Sequence, residues 1–109
     1  MDKFESDVQD VYLDAQSVLL KKHQDYGPKN ISGSPGGPLN GLRVRMHDKL
    51  ARINNLIDSG AHGTSGPAAK GLPPQSAEPQ NESLKDSFLD LMNYAAIAQL
   101  VIDGNWPES

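Results

Sequence analysis

Apolar side chains recur at three- and four-residue steps through the first quarter of the chain: Phe4, Val8, Val11, Tyr12, Ala15, Val18 and Leu19. That period gathers them on one stripe of a helix spanning about residues 2 to 25. Asp2, Glu5 and Asp7 sit near its start and Lys21 and Lys22 near its end, the arrangement the helix dipole favours. The stretch YGPKN stops it, because Gly27 supports a left-handed cap and Pro28 cannot continue the ladder. ISGSPGGPLNG, residues 31 to 41, reads as a loop, with Asn40 as the N-cap of the next helix. The second helix runs from about 41 to 58 on a stripe of Leu42, Met46, Leu50, Ile53 and Ile57, and Gly60 ends it.

The pattern then lapses. GAHGTSGPAAKGLPPQSAEPQ, about residues 60 to 80, has neither a helical nor a strand period and little apolar surface, so a flexible insertion is expected. Asn81 or Ser83 is the expected cap of a third helix reaching about residue 103, where Gly104 closes it. The first half of that helix, ESLKDSFLDL, is mixed. The second half, MNYAAIAQLVI, is apolar nearly all round, and such a helix must be buried on every face. Two other helices cannot surround it, so a second copy of the chain is expected to. No strand pattern and no internal repeat is present. The expectation is an all-α protein: a three-helix protomer completed by oligomerisation, with a tail, NWPES, that docks through Trp106.

Composition narrows the function. A length of 109 residues suits one domain, and a hydrophobic content of 37% is low for a core that stands alone. The formal net charge of -4 argues against a nucleic-acid polymer or an anionic membrane as partner, yet permits one small phosphorylated ligand held by a few cations. The absence of cysteine excludes disulfides and thiolate zinc sites. No segment has the apolar run of a signal peptide or a membrane span, so a soluble, cytoplasmic protein is expected.

Three constellations carry chemistry. Glu82, Asp86 and Asp90 stand at i, i+4 and i+8, which stacks three carboxylates on one helix face. A solvated acidic face is the common fate of such a stripe; the alternative is a site for a hard cation such as magnesium, which takes carboxylate oxygens. Asp90 borders the fully apolar half, and Asn93 and Tyr94 extend the polar line inward. On the second helix, within and just before HDKLARINNL, Arg45, Asp48, Lys49 and Arg52 share one strip beside the apolar stripe. They form either a set of local ion pairs or a cradle for phosphate, with arginine as a planar fork and lysine as a point charge. In the cradle reading Asp48 turns toward the metal of the third helix. The third constellation is KKHQDYGPKN. Its His23, Asp25, Tyr26, Lys29 and Asn30 are either a helix-end dipole partner with a hydrophobic anchor, or an edge that reads a base and a sugar. No zinc-spaced histidine pair, nucleophile elbow or Gly-rich phosphate loop is present.

Taken together, KKHQDYGPKNI, GLRVRMHDKLARINNL and ESLKDSFLDLMNYAAIA resemble the nucleotide modification associated domain family, type one, of phage and bacterial proteins. The resemblance covers all three helices and leaves out the Gly/Pro insertion and both ends. That family in turn resembles the MazG-type all-α nucleoside triphosphate pyrophosphohydrolases. The resemblance implies a helical dimer or tetramer that uses magnesium and cleaves between α- and β-phosphates. The match to the MazG pattern is partial. That pattern has a Glu-x-x-Glu pair on one helix and a Glu-x-x-Asp pair on the next. Here the later helix supplies Glu82, Asp86 and Asp90 at other spacings, and the earlier one only Asp48, with Lys49 and Arg52 where a second acid would stand. Two functions follow, with the site expected between the three helices. One is an enzyme, in which Asp48, Glu82, Asp86 and Asp90 are catalytic, Glu82, Asp86 and Asp90 hold magnesium, and Arg45, Lys49 and Arg52 stabilise developing charge. The other is a non-catalytic binder that sequesters a nucleotide signal of host defence in the host cytoplasm. A plain structural or interaction module is the third reading.

Overall fold

The computed structural model of the chain describes residues 2–60 and 74–107, with side chains in the last helix from residue 83 onward. Within that range it is all-helical: α1 Lys3–Tyr26, α2 Lys29–Ser32, α3 Pro38–Asp58 and α4 Pro74–Ile102. The three long helices are those the pattern predicts. α2 is a single turn that straddles the start of the stretch expected to be a loop. None of the described helices is long and apolar enough to cross a membrane.

The ends of α1 follow from local chemistry. Asp2 caps it: its side chain accepts a hydrogen bond from the Glu5 N–H at 2.7 Å, satisfying one of the orphan donors of the first turn. At the other end Gly27 donates its N–H to the His23 carbonyl and adopts φ 72°, ψ -177°. Only glycine enters that region without strain, and Pro28 then forbids another turn.

The starts of α3 and α4 differ from expectation. Asn40 is not a cap. It lies in the first turn of α3, donates through Nδ2 to the Pro35 carbonyl at 3.2 Å, and accepts from the Arg43 guanidinium. Pro38 opens the helix instead, where its missing N–H costs nothing. α4 likewise begins at Pro74, so residues 74–80 of the expected insertion are helical, and neither Asn81 nor Ser83 is its cap. The remainder of that insertion, residues 61–73, lies outside the described residues.

Two compact units divide the chain: residues 1–43 with 92–109, and residues 44–91. The first centres on Ile31, Leu42 and Ile97, with Leu19, Tyr94, Ala98, Val101 and Trp106 packed around them. Thus the single turn of α2 has a purpose, since it delivers Ile31 to the core. Buried Asn93 ties α4 to α1 through a bond from Nδ2 to the Ala15 carbonyl at 3.0 Å. Gly104 and Asn105 close α4 by donating to the Val101 and Leu100 carbonyls, as Gly104 was expected to. The tail then docks as anticipated: Trp106 donates Nε1–H to the Pro28 carbonyl at 3.1 Å. The second unit buries Ile53 of α3 and Ser87 of α4, and the Ser87 hydroxyl donates to the Ser83 carbonyl one turn back at 2.9 Å.

Candidate functional site

The residues singled out from sequence fall into both units. Arg45, Asp48, Lys49, Arg52, Asp86 and Asp90 lie in the second, and His23, Asp25, Tyr26, Lys29, Asn30, Asn93 and Tyr94 in the first.

In the second unit, an ion pair joins α3 to α4. Lys49 Nζ lies 2.8 Å from Asp90 Oδ2, with the two side chains 29% and 15% exposed. Partial burial matters here. A pair held in open water contributes little, whereas one shielded by its own helices loses less to solvent screening. An ammonium has three donors, and one contact to Asp90 leaves capacity for further oxygens. Arg45 is half-buried on the same strip one turn before Lys49; Asp48 and Arg52 are exposed. The charged strip of α3 therefore divides into Lys49, which grips α4, half-buried Arg45, and Asp48 and Arg52 in water.

The acidic line divides in the same way. Asp90 is drawn inward against Lys49, while Asp86 is exposed. The Glu82 side chain lies outside the described residues, so the triad expected to hold magnesium is seen only as its two later members. Among the described residues no three of His, Cys, Asp and Glu converge to hold a metal ion. Asp86 and Asp90 stand one turn apart on α4, Asp86 in water and Asp90 half-buried.

In the first unit, the expected base-reading stretch sits at the end of α1 and on α2. His23 is half-buried, its ring edge-on to Trp106 with centroids 5.2 Å apart and planes at 75°. Its Nδ1 is buried and meets no hydrogen-bond partner among the described residues. Tyr26 is 68% exposed. Asp25 lies 3.7 Å from Lys21 one turn earlier, both exposed. Lys29 and Asn30 are exposed on α2. Asn93 and Tyr94 stand deeper: the Asn93 amide is engaged with α1, and Tyr94 packs on the core cluster. Trp106 belongs to this neighbourhood by contact, beyond its expected role as the docking residue of the tail.

No family model matches the chain, and no curated protein or solved structure is significantly similar to it.

Proposed function

We propose that the protein is a MazG-like, phage-type nucleotide-binding protein of the cytoplasm that holds a nucleoside phosphate together with magnesium, and that it self-associates. The observation that carries the reading is the Lys49–Asp90 pair, which joins the cationic strip of α3 to the acidic line of α4 in a partly shielded setting. Phosphate with a hard cation needs both signs of charge side by side: Arg45, Lys49 and Arg52 supply donors to phosphate oxygens, and Glu82, Asp86 and Asp90 supply oxygens to magnesium. Asp90 exchanges its Lys49 partner for the cation, which frees the lysine for phosphate. The first unit, taken by itself, offers a separate contact for a base or sugar at the end of α1: exposed Tyr26 for stacking and the unpartnered His23 Nδ1 as a polar group.

The same pair favours holding over turnover. A cation that takes Asp90 must first displace Lys49, which works against the several metals that turnover would need. Sequestration of a nucleotide signal of host defence is thus the reading we prefer to magnesium-dependent pyrophosphohydrolysis, in which Asp48 would join the three acids as a catalytic group.

A melting experiment with magnesium and a panel of nucleoside phosphates tests the proposal. A ligand that binds the folded state raises the melting temperature by mass action. Asp86→Ala abolishes the rise due to magnesium. Arg52→Ala leaves that rise in place and weakens nucleotide binding by about 1.5–3 kcal/mol, the worth of a charged hydrogen bond. Pyrophosphate release separates the two readings: tight binding without release supports the binder, and release lost in Asp86→Ala supports the enzyme. A melting curve that neither magnesium nor any nucleotide shifts refutes both.

A further inference from the structure

The apolar stripe of α1 is only half used. Ala15 is buried and Leu19 packs on the core of the first unit, but Phe4 is 75% exposed and Tyr12 65%, with Val8 and Val11 exposed between them. The two aromatic rings alone keep on the order of 300 Å² in water, and the valines extend the patch toward the size at which a surface marks an interface. Beside it runs a groove of about 470 Å³ between α1 and the end of α4, lined by Tyr12, Gln16, Leu19, Met92 and Gln99 over small residues, Ala15, Ala95 and Ala96. A row of knobs thus continues, along the same helix, into a trough floored by alanine.

We propose that a second copy of this chain covers that face, with the two α1 helices antiparallel about a two-fold axis. The N-terminal half of each α1 then lies in the partner's groove. The self-association assigned above is presupposed; what is added is the surface and the orientation. Charge selects the orientation. Residues 2–14 carry five acids, Asp2, Glu5, Asp7, Asp10 and Asp14, against one lysine, whereas residues 15–26 carry Lys21 and Lys22 against one acid, Asp25. Parallel helices would set acidic half on acidic half; antiparallel ones set the acidic half against the basic end. Shape agrees, because a two-fold interface must be self-complementary. Phe4, Val8 and Val11 are the protruding half, and the alanine-floored groove is the receiving half. Two such contacts, related by the axis, approach the roughly 800 Å² per partner of a stable interface.

The chain contains no cysteine, so introduced thiols report without background. Asp7 and Val18 are eleven residues apart, about three turns, and share a face of α1. Light scattering of the parent protein is expected to give a dimer or a multiple of it. A short bismaleimide is expected to join Asp7→Cys chains to Val18→Cys chains in a mixture, and not Asp7→Cys chains to one another. Val8→Glu and Ala96→Glu, one on a knob and one on the groove floor, are each expected to yield monomers with an unchanged helical circular dichroism spectrum. Cross-linking within Asp7→Cys alone would show a parallel arrangement and overturn the proposal. An oligomer that gives neither cross-link, or that survives both glutamates, would overturn this surface and leave self-association standing. A strict monomer at micromolar concentration would overturn both, and would leave the face to a different protein.

Discussion

Lys49 keeps 29% of its side chain exposed beside Asp90. On α3 it is a neighbour of Asp48 and one turn from Arg45 and Arg52, but its ammonium bonds across to Asp90 on α4. Removing it strands a carboxylate that is mostly shielded. Lys49→Met keeps the stem and loses the charge; it should cost about 1–2 kcal/mol, between an exposed pair and a fully buried one. Asp90→Asn should cost a similar amount. The double variant should cost less than the sum, since each change removes the same contact, and urea unfolding of the four proteins measures that coupling. Trp106→Phe tests a different bond. It keeps an aromatic ring near His23 and loses the donor to the Pro28 carbonyl, for about 1 kcal/mol. The melting temperature should fall by roughly 4 °C in a chain of this size. Asn93 was read from sequence as part of a ligand-facing polar line because spacing locates a residue on a helix face without naming what lies opposite. The Ala15 carbonyl lies opposite, seventy-eight residues away in sequence.

At the scale of elements, periodicity and punctuation carried different amounts of information. α1 was legible at both ends because its signals are local: Asp2 bonds to Glu5, and Gly27 and Pro28 stop the ladder. The stripe of α3 and the apolar second half of α4 were legible too, and Leu42, Ile53 and Ile97 from them are buried. The N-termini of α3 and α4 were not, for a common reason. Both begin at a proline within a Gly/Pro-rich run, and such a run has the composition of a loop whether or not one of its prolines opens a helix. α2 was invisible because one turn contains no period to detect. The Gly27 stop makes a sharp prediction. A Cβ there would meet no atom within 4 Å, so any cost of Gly27→Ala is one of backbone conformation alone. That cost should be about 1–3 kcal/mol, and chemical denaturation reads it. The candidate site was legible as three clusters of residue types, and the Lys49–Asp90 contact is a direct meeting between two of them.

At the scale of the molecule, stability and assembly should be linked. A chain that leaves Phe4 and Tyr12 in water as a monomer gains by covering them with a partner, and folding then draws on association. The melting temperature should therefore rise with protein concentration, by several degrees over a hundredfold range, and Val8→Glu should remove that dependence along with the dimer. Calorimetry at two concentrations decides it. A melting temperature independent of concentration in the parent protein would separate folding from assembly.

Trp106 is the chain's one tryptophan, and it docks against His23 at the edge of the stretch assigned to base recognition. The molecule consequently carries its own lamp. Excited at the red edge of aromatic absorption, it emits from a single indole whose colour and brightness depend on the imidazole beside it and on the bond to Pro28. A nucleotide that settles near His23 and Tyr26 should alter that emission, so an unlabelled titration reports a ligand's arrival at the end of α1.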